Sequence, residues 1–346
     1  MHALLLRAGR HPWCECFLRL WPGSALALVV MLAATFISEH YGGPQLLYAL
    51  FFGLAFHFLY DNARCRPGID WCTRFVLRAG VALLGASMTA GQIGALGIGP
   101  LAVATGGVAS TVLLGAWLAR RFGAGTDFGL LCASAVSICG ASAALAVSAV
   151  MPKGPGSERQ TLLAVVGVTS LSTLAMILYP GIARLLGLSD VAAGIFLGGT
   201  IHDVAQVVGA GLMISHTAAD TAVLVKLFRV ALLVPLVAGL AWYWRRRAHR
   251  AGETGALPGA RSALVPAFLL AFIALVLVNS AGLLPSALGE VMSLASRFCL
   301  VLAIAALGIK TSFEELVKLG WHPLALLLID TLWLALIFLG YLLLRH

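Results

Sequence analysis

Apolar runs of about 20 residues, recurring from residue 23 to residue 344 with short polar breaks, constrain this chain more than any single motif in it. A run of that length crosses roughly 30 Å of hydrocarbon as a helix. In lipid a helix is one of the few arrangements that satisfies every backbone N–H and C=O within one segment. With 60% of its 346 residues hydrophobic and 11% charged, the chain reads as an all-α polytopic membrane protein. Windows of low charge predict about 10–11 transmembrane helices, near 23–38, 44–60, 72–90, 99–119, 127–150, 160–179, 191–214, 220–244, 264–281, 291–309 and 322–344. A cytoplasmic N-terminal segment, 1–22, precedes a single transmembrane domain over 23–346. No small-residue cleavage site precedes Ser38-Glu39-His40, so the first span is expected to stay attached.

A formal charge of +9 would suggest nucleic acid in a soluble protein, but here the basic residues orient the chain. With the N-terminus inside, Arg64, Arg66, Arg120, Arg121, Arg184, Arg245, Arg246, Arg247, Arg250, Lys310 and others fall in cytoplasmic segments, while Lys153, Arg159 and Arg345 fall outside. That bias puts the N-terminus on the cytoplasmic side, and no nucleic-acid partner is expected. The seven cysteines fit neither a disulfide framework nor a zinc pattern, since Cys14 and Cys16 have no second pair at metal-ligand spacing.

Displacing the chain by 223 positions aligns 74–101 with 297–324 without a gap, with Arg74-Phe75 matching Arg297-Phe298 and Pro100-Leu101 matching Pro323-Leu324. The copies begin an odd number of crossings apart, which predicts inverted-topology repeats of the kind that underlie alternating access in secondary transporters. Two ordinary helices of similar composition would be the plain alternative.

Two segments carry the candidate site. Between 132 and 149 nearly every residue is Ala, Gly, Ser or Cys, so the segment must lie among other helices. A helix interrupted at Gly140, within Ser137-Ile138-Cys139-Gly140-Ala141-Ser142, would turn backbone N–H groups and a positive dipole end toward an anion at the membrane midplane. Between 191 and 214 the apolar run carries Thr200, His202, Asp203 and Gln206 near its midpoint, where a carboxylate costs about 2.5–3.5 kcal/mol on insertion scales. His202 and Asp203 diverge by about 100° on a helix, which argues against a metal site built on that pair. Either could carry a coupling charge, a proton or a sodium ion; as the alternative, they knit helices together by hydrogen bonds. Lys226 and Arg229 lie on one face of the eighth span. Lys226 could reach the interface, but Arg229 needs a buried partner, Asp203 or a bound anion. Arg297 and Asp330 read first as structural charges.

The motifs ICGASA (138–143), HDVAQVVGAG (202–211), VKLFRV (225–230) and ALGIKTS (306–312) resemble those of the YeiH family, which is labelled as sulfate exporters within the cation:proton antiporter and anion transporter superfamily. The resemblance covers most of the chain from about 40 to 344, with departures at Gly199, Thr200, Ile201 and Phe228. It implies a bundle of about ten helices with crossed discontinuous helices and an export role. The reading that follows is a secondary active transporter exporting a small inorganic or organosulfur anion, sulfate-like or sulfonate, by alternating access. Ser137, Cys139, Gly140, Ala141, Ser142, Thr200, His202, Gln206, Lys226 and Arg229 would hold the anion, and Asp203 with His202 would carry the coupling charge. No cofactor or metal is expected beyond a coupling Na+ or H+. The expected partners are the small anion and the lipid bilayer, with a homodimer allowed. A sodium/proton antiporter using Asp203 is the nearest rival. An enzyme is not expected, since no G-x-S-x-G, H-E-x-x-H or P-loop accompanies the His–Asp pair.

Overall fold

Every described residue that is regular is helical, as the apolar runs require. The computed structural model describes residues 12–42, 45–89, 91, 96–152, 154, 156–250, 267–311 and 321–344. The helices are α1 (Pro12–Tyr41), α2 (Gln45–Ala55), α3 (Arg66–Trp71), α4 (Leu77–Leu84), α5 (Ile98–Arg121), α6 (Thr126–Ser137), α7 (Ala141–Val150), α8 (Ser157–Leu185), α9 (Asp190–Thr200), α10 (Val204–Leu212), α11 (His216–Ala231), α12 (Leu233–Arg250), α13 (Ala267–Ser280), α14 (Ser286–Lys310) and α15 (Trp321–Leu343). Among the described residues, six stretches are long and apolar enough to cross a membrane: Leu18–Tyr41, Ile98–Arg121, Ser157–Leu185, His216–Arg250, Ser286–Lys310 and Trp321–Leu343.

The sequence offers no boundary inside 23–346, but the helices gather into two compact units. The first contains α1–α4 and α14. Here glycine lets backbones touch: a Cβ on Gly308 would sit 2.3 Å from the Leu50 carbonyl oxygen, and one on Gly68 2.1 Å from that of Leu20. Lys310 pairs with Asp70 at 2.5 Å, and Ser296 donates to the Gly80 carbonyl at 2.7 Å. Those two contacts make α3–α4 and α14 antiparallel. The second unit contains α5–α13 and α15, so Arg297 and Asp330, candidate counter-ions in the sequence, belong to different units.

Within the second unit, the segments expected as the fifth and seventh spans are interrupted, and at each interruption the chain turns back. On α11, Ala218 and Thr221 meet Gly194, and Ala222 meets Gly198, so α9 and α11 run parallel. Ala219, on the same turns, meets Gly211 near the end of α10. A helix continuing straight from α9 would carry Gly211 about 15 Å past residue 201. Thus α9 and α10 form a hairpin. Consistently, Arg184 near the end of α8 donates to the Met213 carbonyl just beyond α10. The α6–α7 segment does the same from the other end, because Met151 and Pro152 line one cavity with Gly125, Thr126, Asp127 and Ser157.

These hairpins correct the assignment of 127–150 and 191–214 as crossings. They also correct two loop assignments. Arg159 lines a cavity with Ala124 and so lies at the end that holds Arg120 and Arg121, whereas Arg184 lies at the opposite end. Lys153 and Arg345 lie outside the described residues. Since both segments turn back, the direction of every later helix is unchanged.

Local signals explain the turns. Gly125, Gly140 and Gly156 precede α6, α7 and α8 at φ of 86°, 64° and 86°. Such angles are open to glycine and strained for other residues. Ser189, Asp203 and Ser215 cap α9, α10 and α11 by accepting from the N–H groups of Ala192, Ala205 and Ala218.

Candidate functional site

The two hairpin tips meet halfway along α8. A 29-residue helix is about 43 Å long. Near its centre, Val168 lies 3.8 Å from the position of a Cβ on Gly140, and Ser172 Oγ accepts from the backbone N–H groups of His202 and Asp203 at 3.2 and 3.1 Å. The arms α6 and α9, 12 and 11 residues, are each about 16–18 Å long and bring their tips to this level. A Cβ on Gly140 would also lie 3.8 Å from the His202 Cβ, so the tips touch.

A helix that stops inside a membrane leaves its last carbonyls without partners, and each end carries about half a negative charge. Lys226 and Arg229 of α11 meet both ends. Arg229 uses all five of its N–H donors on carbonyls: Nε on Ser137 at 2.9 Å, Nη2 on Ser137 at 2.6 Å and Val136 at 3.1 Å, Nη1 on Gly198 at 3.0 Å and Ile201 at 3.2 Å. Lys226 donates to the Ile138 carbonyl and, at 3.0 Å, to that of Ile201. Both side chains are fully buried. The structure thus pairs Arg229 with helix ends in place of the expected Asp203. Its partners are helix ends, and its donors are spent on them.

His202 closes the other side of the junction. Its Nδ1 faces the Val136 carbonyl at 2.9 Å and its Nε2 the Thr331 hydroxyl of α15 at 3.0 Å. Because a carbonyl only accepts, Nδ1 carries a hydrogen. The Thr331 hydroxyl also lies 2.7 Å from the Leu327 carbonyl, so its one hydrogen can serve either Leu327 or Nε2. Gln206 Nε2 donates to Thr173 Oγ1 at 2.9 Å, while Gln206 Oε1 and Ser137 Oγ are buried with no partner among the described residues. Thr200 is tied to the Phe196 carbonyl at 2.6 Å.

The accessible face of the junction is the start of the returning arms. Ser142 is exposed, Ala141 and Asp203 are half-buried, and Cys139 is buried with its thiol against the Ala143 N–H. Gly140 gives α7 no side-chain cap, whereas Asp203 Oδ1 caps α10 at 2.8 Å. The structure thus brings Ser137, Cys139, Gly140, Ala141, Ser142, Thr200, His202, Asp203, Gln206, Lys226 and Arg229 together at one junction. Sequence reasoning missed Ser172, Thr173 and Thr331. A signal existed for the first two, since Ser170-Leu171-Ser172-Thr173 is a hydroxyl cluster at the centre of an apolar span.

Comparison with known proteins gives a family match over residues 22–327, to the model described as "Conserved hypothetical protein 698". A UPF0324 membrane protein of Chlorobaculum tepidum is 46% identical over 325 residues, covering 94% of this chain and 89% of that protein. The UPF0324 membrane protein TauZ of Paracoccus denitrificans is 46% identical over 316 residues, covering 91% and 92%. A UPF0324 membrane protein of Rhizobium meliloti is 46% identical over 314 residues, covering 91% and 90%. No solved structure matches the chain.

Proposed function

This chain belongs to the conserved hypothetical protein 698 family of UPF0324 membrane proteins, the YeiH family of its motifs, and from that premise we propose that it is a secondary active transporter of a small sulfur oxyanion or sulfonate. It is a multi-pass membrane protein. One observation carries the reading: opposed hairpin tips meet at a junction held by two buried basic side chains, Lys226 and Arg229, with the Asp203 carboxylate beside it. The two carbonyl ends and the two N-terminal ends of the hairpin arms roughly cancel as dipoles. With both Lys226 and Arg229 protonated, the junction keeps a net positive charge, which favours an anion.

In this reading the anion sits at the open start of α7, taking N–H groups of Ala141 and Ser142, the Ser142 hydroxyl and the remaining donor of Lys226. Arg229 supplies charge and holds the tips without touching the anion. Asp203 and His202 are the coupling groups nearest to it. Transport is outward across a bacterial cytoplasmic membrane with the N-terminus inside, the orientation that puts Arg159 with the other cytoplasmic basic residues. The antiparallel α3–α4 and α14 support reading 74–101 and 297–324 as inverted copies.

The test is thermal unfolding of the purified protein with sulfate, sulfite, thiosulfate, sulfonates, chloride, sodium and lithium, since a ligand of the native state raises the midpoint by mass action. Stabilisation by one sulfur oxyanion class is expected, and Ser142→Asp should remove it while leaving the ligand-free midpoint in place, because a carboxylate suits a helix start but repels an anion. The half-buried Asp203 carboxylate favours one second reading, a sodium/proton antiporter. Stabilisation by sodium or lithium alone, lost in Asp203→Asn, would establish that instead.

A further inference from the structure

Asp330 lies in the middle of α15, fully buried, and neither of its carboxylate oxygens has a hydrogen-bond partner among the described residues. The surrounding space is kept for it by small residues. A Cβ on Gly115 of α5 would come within 2.8 Å of Asp330 Oδ2, and Cys132 of α6 lies within electrostatic reach. The titratable groups facing this part of α15 are that Cys132 thiol and His202, through Thr331. The charged residues of the other helices packed on α15 stand at helix ends: Arg120 and Arg121 on α5, Asp127 on α6, Glu158, Arg159 and Arg184 on α8, and Asp190 on α9. An ionised carboxylate without water, donor or counter-ion is costly by several kcal/mol. A carboxyl group carrying a proton is not.

We propose that Asp330 is a proton-binding site of this unit, loaded from the end where the α6–α7 hairpin enters and read out at the hairpin tips through Thr331 and His202. This deepens the transporter reading above and rests on it for its purpose, since it names the coupling ion as a proton. Sodium is disfavoured because it wants several oxygen ligands, whereas the described residues set one carboxylate here and no cluster of three acidic, histidine or cysteine groups.

The approach for the proton begins at a cavity. A cavity at that end is lined by Phe128, Arg159, Gln160, His322 and Pro323. Phe128 is one turn before Cys132 on α6, and Pro323 is two turns before Asp330 on α15, so the carboxyl lies about 6–10 Å beyond the cavity wall. Loading takes a proton from water onto one carboxylate oxygen and breaks no protein bond. Unloading leaves a buried negative charge, which α15 can relieve only by moving. Thr331, the next residue, would carry that movement to His202 Nε2 and the tip of α9–α10.

The experiment is infrared spectroscopy of the purified full chain across a pH series, with no anion added beyond buffer. The wild type should show the carbonyl stretch of a protonated carboxyl at neutral pH, diminishing as pH rises, and Asp330→Asn should lack it. Cys132→Ser, which adds a hydroxyl donor beside the group and keeps Asp330, should move the band to lower frequency, so the test survives if Asp330→Asn fails to fold. A carboxyl region unchanged by Asp330→Asn, or a band that never diminishes while the protein stays folded, would overturn the proposal. Because no transported anion takes part, this result stands apart from the success or failure of the sulfur oxyanion panel.

Discussion

Replacing Arg229 by alanine gives the sharpest test of how the hairpin tips are held. The five hydrogen bonds of its guanidinium go to four carbonyls. Two of these keep another donor after the change: Val136 retains His202 Nδ1 and Ile201 retains Lys226. For Ser137 and Gly198 the guanidinium is the donor that the structure provides, so two buried carbonyls are orphaned. At about 1–3 kcal/mol for each unsatisfied buried acceptor, the loss is roughly 2–6 kcal/mol before any cavity cost. Lys226→Ala orphans the Ile138 carbonyl while Ile201 keeps Arg229, so its loss should be about half as large, roughly 1–3 kcal/mol. With about 2–4 °C per kcal/mol, Arg229→Ala should lower the unfolding midpoint in detergent by on the order of 5–20 °C, with no anion present. An Arg229→Ala protein melting within about 2 °C of the parent, yet unresponsive to anions, would refute this account and restore Arg229 as a direct anion contact.

Three further outcomes follow from the same geometry. In a background lacking the natural cysteines, Ala124→Cys and Glu158→Cys should react with an impermeant thiol reagent from one side of the membrane, and Leu186→Cys and Thr217→Cys from the other. If 127–150 and 191–214 crossed the membrane, each of those pairs would instead be split between sides. Gly199→Ala should destabilise by about 1–3 kcal/mol, since its Cβ would come within 2.1 Å of the Phe338 ring, and Phe338→Leu in the same chain should recover part of that loss in midpoint measurements. Asp203→Ala should cost about 0.5–2 kcal/mol by removing the cap of α10, while Asp203→Asn keeps an acceptor oxygen and most of the stability, as thermal unfolding can compare.

Much of the candidate site was legible because polar groups in hydrocarbon are expensive and therefore conspicuous. His202, Asp203, Lys226 and Arg229 stood out against their apolar surroundings, and the run of small residues from 132 to 149 marked a segment enclosed by other helices. The hairpins were half legible. Ser189, Asp203 and Ser215 are good helix starts spaced 14 and 12 residues apart, and Gly125, Gly140 and Gly156 are spaced 15 and 16 apart. Those intervals fall short of the roughly 20 residues that a crossing needs. A hydropathy window that sums 191–214 as one run passes over these caps, because it measures apolar length and carries no direction.

By itself, then, the sequence determined an all-helical membrane protein, its family and the residues that gather at its centre, because burial costs and helix length are properties of local composition. The tertiary structure alone decided that 127–150 and 191–214 turn back on themselves, that Arg229 spends its donors on Val136, Ser137, Gly198 and Ile201, and that Thr331 stands against His202. Those contacts join residues 28 to 129 positions apart. Which carbonyl a long cationic side chain reaches depends on how helices pack, and the spacing of residues along one helix carries no trace of it.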